Sequence, residues 1–476
     1  MRVLSPNDLT TNKKFSMQFR YHRDDIMVRN ADRELSIRAL FDLVKSKYPS
    51  RFRGAIIYSE EVFRNNLRFT AATMRKYFGD KFNLFWAVKS APVKKLVEIA
   101  AEESAAFDVG SYEELCLAKD FVSGARIYHT APGKFDWDLE ALAKYDCVSI
   151  SDNPVELKLL DSKAKSLGKR LAVGLRINPA IESTTQRGIA TGTLACKFGL
   201  PEISESLMEQ LTELSNLDIK ILHMHIGSQI AEPAEYERAL SVLINCYRRL
   251  KGRGLPVDTL DIGGGYPYRY RDAAQKSDPD RETQGEHAFH NYVPYDFEDY
   301  ISRIHAILKK ELGDNLPWLT IEPGRHIAAG TAFALGYVLH TKQYPNGIQW
   351  LISSISVSDL CHKAILPDTY FDIHTIGGDR TDTTPTAIGG TLCFSGDILT
   401  PPGQAINLRK QIKRQDILLF NNIGAYTIIG SGNFHNMPRL PILLIDLQSN
   451  LLEIREQERP YFEETPEATR KKWPLL

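Results

Sequence analysis

Cysteine is scarce and scattered. The chain has six in 476 residues, Cys116, Cys147, Cys196, Cys246, Cys361 and Cys393, with no Cys-x-x-Cys pair and no Cys/His cluster. That excludes a zinc ribbon and a secreted disulfide scaffold, and leaves buried free thiols as the ordinary reading for most of them. Neither sign of charge is in excess: Lys+Arg and Asp+Glu each count 59, for a formal net charge of zero. Proteins that read a phosphate backbone carry a basic surplus, so no nucleic-acid partner is expected. No apolar run approaches the roughly 20 residues that span a bilayer, so no membrane role is expected. Met1 to Lys14 is polar and lacks the apolar core of a signal peptide, so a cytoplasmic protein is expected.

What is present is ordinary for a folded chain: 43% hydrophobic and 25% charged residues. At roughly 150 residues per domain, the length suggests about two or three domains. No internal repeat is seen. Short apolar runs alternate with helical patterns through the middle of the chain. The strand candidates are Asn83–Val88, Ala106–Val109, Arg126–Thr130, Cys147–Ile150, Leu171–Ile177, Lys220–Ile226, Thr259–Ile262 and Trp318–Ile321. Between them, Pro92–Ala101, Glu235–Leu250 and Phe297–Leu312 carry apolar residues at helical spacing. Asp152 and Asn153 precede Pro154, where a cap and a first-turn proline belong.

Eight strands, each separated by enough chain for a crossover helix, suggest a closed α/β barrel with its ligand chemistry at the strand C-terminal ends. A further run, Ala55–Tyr58, precedes the helix expected over Glu60–Tyr77 and is surplus to eight strands. After about residue 331 the pattern changes. Leu335–His340, Trp350–Val357, Ile417–Phe420 and Leu440–Asp446 are β-type runs without long helices between them, which reads as a mostly antiparallel β domain. The expected division is a barrel over 59–330 and a β domain over 331–476, joined by residues 1–58. Tyr270–Asn291 reads as an exposed loop, and Glu456–Leu476 as a charged tail.

Four pieces carry chemistry. Lys89 ends the run Phe85-Trp86-Ala87-Val88-Lys89. A lysine at a barrel mouth is poorly solvated on one side, and desolvation lowers an amine's pKa and sharpens it as a nucleophile; a lysine merely leaving the strand for solvent is the plain alternative. Asp261-Ile262-Gly263-Gly264-Gly265 offers a backbone nest for a phosphate, or simply a turn; it is not the G-x-G-x-x-G of a dinucleotide fold. Glu322-Pro323-Gly324-Arg325 places a carboxylate and a phosphate-matching fork at the last strand, or a structural ion pair. His223-Met224-His225-Ile226-Gly227-Ser228-Gln229 spans a sixth strand end. There alternation puts His223 and His225 on one face, His225 could stack on a flat ring, and Ser228 could donate to a phosphate. A two-His metal site competes, but the motif holds no Asp, Glu or Cys partner, so no metal is expected. A lysine that forms an imine, a phosphate nest, a stacking ring and a carboxylate are together what pyridoxal 5'-phosphate requires.

With these pieces assembled, the sequence resembles the group IV, fold-type III pyridoxal-phosphate decarboxylases, the family of diaminopimelate and ornithine decarboxylases, from about Ala55 to Asp446. The carriers are Ala87-Val88-Lys89, Phe107-Asp108-Val109-Gly110-Ser111, Pro132-Gly133-Lys134, Leu175-Arg176-Ile177-Asn178-Pro179, Lys197-Phe198-Gly199, His225 to Gln229, Gly263-Gly264-Gly265, Glu322 to Arg325 and Gly424-Ala425-Tyr426. The resemblance implies an alanine-racemase-like (β/α)8 barrel plus a C-terminal β domain, working as a head-to-tail homodimer with shared active sites. It implies that Lys89 carries the aldimine, Glu322 pairs with the pyridine nitrogen and His225 stacks on the ring. By the same resemblance Ser228, Gly264, Gly265, Gly324, Arg325 and Tyr426 contact the phosphate, Asp108 and Arg176 lie close to the cofactor, and Cys393 reaches in from the partner subunit to reprotonate the substrate carbon.

Substrate recognition departs from the pattern. The acidic residue that follows the family's cysteine is here Phe394, which cannot accept hydrogen bonds from a charged amine. Where diaminopimelate enzymes carry an arginine and a tyrosine, this chain has His362 or Lys363 and no tyrosine before Tyr370. Asp368 falls near an aspartate that ornithine decarboxylases use, or is a turn residue after Pro367. The expected activity is decarboxylation of a small-molecule amino acid from specialised metabolism, with a less polar or larger end group. A racemase on the same barrel and a non-catalytic regulatory homologue are the alternatives.

Overall fold

Eight parallel strands close into a barrel in the computed structural model, which describes residues 2–4, 15–271, 289–377 and 381–458. In order around the ring they are Phe82–Ala87, Ala106–Val109, Ile127–His129, Val148–Ser151, Leu171–Arg176, Leu217–His223, Thr259–Asp261 and Trp318–Ile321. The last pairs back onto the first, Leu319 against Phe82 and Ile321 against Leu84. The pleat sends alternate side chains to opposite faces. Phe85, Ala106, Tyr128, Val148, Ile150 and Ile221 form a cluster of their own inside the ring, while Trp86, Phe107 and Ile127 join the core beneath the helices. Both faces are apolar, which is why these strands read as near-continuous hydrophobic runs.

The helices start where the sequence supplies caps. Ser59 accepts from the Val62 N–H at the head of Glu60–Phe78, and Asn153 accepts from the Glu156 N–H ahead of Pro154–Ser166. Phe297–Leu312 buries Phe297, Tyr300, Ile301, Ile304 and Leu308 on one face, each contributing roughly 1.5–3 kcal/mol by transfer from water. It packs against Glu60–Phe78 and Pro233–Gly252.

A ten-stranded, mostly antiparallel sheet system forms the second layer. Its long strand Ala332–Gln343 pairs antiparallel with Gln349–Ser353, with Ile417–Asn421 and with Ala55–Ser59. Ala55–Ser59 also takes Ile442–Ile445 in parallel. A small sheet of Gln18–His22, Asp25–Asn30 and Arg33–Ser36 lies beside it. Among the described residues no helix is long and apolar enough to cross a membrane.

Several element bounds differ from the sequence reading. Phe82–Ala87 stops before Lys89, which sits in the single turn Val88–Ser90. Leu217–His223 stops at His223, so His225 lies in the loop beyond and strand alternation does not govern it. Trp350–Val357 is a strand only to Ser353. Most of Tyr270–Asn291 lies outside the described residues, but its ends are not exposed: Tyr270, Arg271 and Phe289 are buried.

Candidate active site

The C-terminal ends of the barrel strands gather the charged residues. Asp108 is wholly buried in its strand, where Oδ1 accepts from Thr130 Oγ1 at 2.5 Å and Oδ2 accepts from Lys89 Nζ at 2.7 Å. The Lys89 side chain is 40% exposed, so its amine stands at the open mouth. Burial opposes its charge, but the Asp108 and Glu322 carboxylates outweigh that, and its pKa lies above the ordinary lysine value. This corrects the expectation of a lowered pKa, which counted desolvation without the facing carboxylates.

Glu322 follows the strand Trp318–Ile321 and is 3% exposed. Its Oε2 lies 3.2 Å from His223 Nε2, and its carboxyl shares a side-chain hydrogen bond with Asp261. Asp261 ends the neighbouring strand; its Oδ1 accepts from the Gly263 N–H at 2.9 Å, and its carboxyl hydrogen-bonds the Glu322 side chain. Burial and then the neighbouring Glu322 push Asp261 well up, so Asp261 keeps its proton. Burial resists ionisation of Glu322 too, but His223 and Lys89 hold it below the usual carboxylate range. Glu322 is thus the buried carboxyl whose charged form the site favours, a fit for a protonated ring nitrogen.

The fold also supplies the carboxylates that the His223-x-His225 motif lacks. Donor atoms of His223, Asp261 and Glu322 lie within 4.8 Å of one another. His225 is not of that group: its Nδ1 accepts from the Gly264 N–H at 3.0 Å. Burial, then the Lys89 and Arg176 cations, keep the His225 imidazole well below its ordinary pKa and therefore neutral.

The glycine run passes so close to its surroundings that side chains are excluded. A Cβ on Gly264 would stand 2.3 Å from the Glu322 carbonyl oxygen, and one on Gly265, at φ +102°, would stand 2.6 Å from the Gly227 carbonyl oxygen. Tyr426 holds a left-handed backbone, φ +59°, pinned by its N–H donating to the Ser90 carbonyl at 2.7 Å. Arg325 lies beneath it, its Cζ 4.8 Å from the Tyr426 ring. Arg176, 4% exposed, lies 4.3 Å over the Phe198 ring and donates to the Thr130 carbonyl. Asp152 accepts from the Gly199 N–H at 2.8 Å and so holds the Phe198 turn, while Asn153 alone caps the helix. A flat ring with a phosphate fits this set: a lysine at the opening, a buried carboxylate, a glycine cradle and a buried arginine.

The substrate candidates divide. His362 is buried, with Nε2 at 2.7 Å from Arg325 Nη1. Asp368 is exposed, and its carbonyl accepts from Asn291 Nδ2. Cys393 and Phe394 occupy an exposed turn of the β layer. Asp397 ties that turn down, accepting from the Leu392 and Val357 N–H groups at 2.8 Å each, and Phe394 packs near Phe434. Tyr270 and Phe289 escaped the sequence reading as site residues, and Lys363, named there as an alternative to His362, is buried with its Nζ donating to the Pro367 and Thr369 carbonyls. The only signal for Tyr270 was the alternation Tyr266-Pro-Tyr268-Arg-Tyr270 inside a stretch that otherwise read as loop.

Residues 64–329 match the family described as "pyridoxal-dependent decarboxylase, pyridoxal binding domain". The chain is 27% identical over 406 residues to the diaminopimelate decarboxylase of Aquifex aeolicus, covering 84% of this chain and 88% of that one. It is 27% identical over 398 residues to that of Staphylococcus aureus, covering 82% and 88%. In fold it resembles the diaminopimelate decarboxylase of M. jannaschii in complex with L-lysine, with a TM-score of 0.75, 22% identity, and 94% and 96% of the two chains covered.

Proposed function

The chain belongs to the pyridoxal-dependent decarboxylases, and from that premise we propose how its own residues share the work and what substrate they take. Pyridoxal phosphate, when bound, supplies an electron sink for the pair left on the substrate carbon as its carboxylate departs. Lys89 Nζ would hold the cofactor covalently, its amine standing at the open mouth where a substrate amine enters. Glu322 keeps a negative charge at the ring-nitrogen position. His225, held neutral, offers a flat face without adding positive charge. Ser228, Gly264, Gly265, Gly324, Arg325 and Tyr426 bind the phosphate, with Asp108 and Arg176 beside them. Asp108 holds Lys89 in place.

In the decarboxylation the bond from the substrate carbon to its carboxylate breaks, CO2 leaves, and a proton returns to the same carbon. We assign that proton to Cys393 Sγ of the partner subunit, the thiolate recovering a proton from solvent. The exposure of Cys393 and Phe394 supports this: both are presented outward on a tethered turn. The same reading carries a head-to-tail homodimer in the cytoplasm, with a barrel domain over 59–330 and a β domain over 331–476 joined by residues 1–58.

Phe394 is the observation that bears on substrate. An aromatic ring there cannot pair a distal ammonium, and a site that leaves a buried charge unpaired rejects it strongly. The favoured substrate is an amino acid of specialised metabolism with a less polar or larger distal end, with Asp368 at the substrate side. Purified protein offered a panel of amino acids, with CO2 and product amine followed by mass spectrometry, is expected to turn over such a compound fastest. Preferred release from meso-diaminopimelate would sink the assignment.

A further inference from the structure

Arg325 is 3% exposed, and among the described residues no carboxylate pairs with it. Its Nε and Nη2 both donate to Ser228 Oγ, at 3.2 and 3.1 Å. Its Nη1 donates to Tyr270 Oη at 3.0 Å and meets His362 Nε2 at 2.7 Å. The Phe289 ring lies 5.3 Å from its Cζ. A guanidinium removed from water without an anion is costly, so the neutral groups around it must satisfy its N–H donors. Ser228 and Tyr270 hydroxyls can rotate, donate or accept. The imidazole nitrogen of His362 is different: it accepts in one fixed direction, and only when unprotonated.

The surroundings of His362 enforce that state. It is 2% exposed, and rings of Tyr270, Phe289, Phe371 and Tyr426 lie about it. Burial first, then the charges of Arg325 and Lys363, hold its pKa well below the ordinary histidine value. The proton therefore sits on Nδ1, which is buried and has no hydrogen-bond partner among the described residues. The fold leaves a donor unsatisfied on one side of the ring in order to keep an acceptor on the other. Such a cost persists where the acceptor matters.

We propose that His362 is a positioning residue: its unprotonated Nε2 anchors the Arg325 guanidinium in the orientation that receives a phosphate group at the barrel mouth. The inference rests on the reading of Arg325 as a phosphate contact. It moves His362 from direct substrate contact to a supporting place, since a ring 2% exposed and bonded to Arg325 has no free acceptor for a substrate.

The test uses the full chain, stripped of cofactor and reloaded by titration with pyridoxal phosphate and, separately, with pyridoxal, which lacks the phosphate. His362→Phe keeps a ring and removes the acceptor. It is expected to weaken pyridoxal phosphate about tenfold or more, the loss that accompanies one missing hydrogen bond to a charged group, and to leave pyridoxal unchanged. His362→Gln, which returns an acceptor near the Nε2 position, is expected to recover most of the affinity. Equal weakening of both ligands, or no rescue by glutamine, would mean that the ring only fills space and would overturn the proposal. So would an effect confined to the substrate KM. Arg325→Lys separates the two layers. If it leaves phosphate affinity unchanged, the reading of Arg325 fails and the proposal falls with it. If it weakens affinity while His362→Phe does not, only the anchoring role is lost.

Discussion

At the N-terminal end of the barrel, Arg68, Arg75, Asp80, Glu103 and Arg126 line a cavity of about 590 Å³. Arg68 meets Glu103 at 2.7 Å and Arg75 meets Asp80 at 3.7 Å, and three of those four side chains are more than 60% exposed. At the C-terminal mouth, Asp108, Arg176, His223, Asp261, Glu322 and Arg325 are each 4% exposed or less. There the buried Glu322 and Asp261 carboxyls meet each other, and among the described residues no carboxylate pairs with Arg325. Both ends are rich in charge and both are concave. Exposed pairs are screened by water and contribute roughly 0–1 kcal/mol. Buried charges cost several kcal/mol each unless matched, so a fold that retains unmatched ones at one end marks that end as the place of chemistry.

The comparison breaks first at Lys89. Lys89→Ala is expected to lower CO2 release on the order of 10³-fold or more, because covalent attachment and exchange are both lost. Borohydride reduction followed by peptide mass spectrometry is expected to label Lys89 in the parent. An unlabelled Lys89 in folded, cofactor-loaded protein would remove the mouth as the site.

Cys393→Ala comes next, with an expected loss of about 100-fold in turnover as a proton donor disappears. Mixing it with Lys89→Ala and allowing subunits to exchange is expected to restore up to about a quarter of parental activity, since one of the two sites in a mixed dimer would be intact. No restoration in proven mixed dimers would place the thiol in the wrong subunit.

A smaller effect sharpens the contrast in burial. Lys363 is 1% exposed, with Nζ donating to the carbonyls of Pro367 and Thr369 and no carboxylate partner among the described residues. Burial pulls its pKa down to about 7. The unfolded chain binds this proton up to about pH 10.4, so between about pH 7 and 10 the unfolded state holds more protons than the folded one. Stability from this residue therefore rises with pH across that window and levels off above it. Lys363→Met is expected to flatten the rise of Tm with pH, read by thermal unfolding from pH 7 to 10. An unchanged slope would show that the amine is charged in the fold.

The smallest effect belongs to the other end. Arg68→Ala is expected to leave turnover unaltered and to change stability by less than about 1 kcal/mol in denaturant unfolding. A large loss of turnover would erase the distinction between the two ends.

Much of the barrel was legible because its strands are largely buried on both faces and so read as mostly apolar runs, Ala106–Val109 and Leu171–Arg176 among them. The β layer was harder. Thr383–Gly389 contains Pro385, and Gln18–His22 is exposed at all but Phe19, so neither shows the hydrophobic alternation that marks a half-buried strand. In the site, Lys89, Glu322 and the glycine run stood out as motifs. Their environment did not. The raised pKa of Lys89 depends on Asp108, 19 residues away in sequence.

The sequence by itself determined the repeating strand-and-helix order, the chemistry-bearing residue types and the departure at Phe394, because each is a property of local pattern. Only the tertiary structure decided that Glu322 is held below the usual carboxylate range while Asp261 is pushed above it, that His362 faces Arg325, and that Tyr270 meets the same guanidinium. Those depend on distances between strands far apart in the chain, and electrostatic energy depends on distance and burial rather than on order along a sequence.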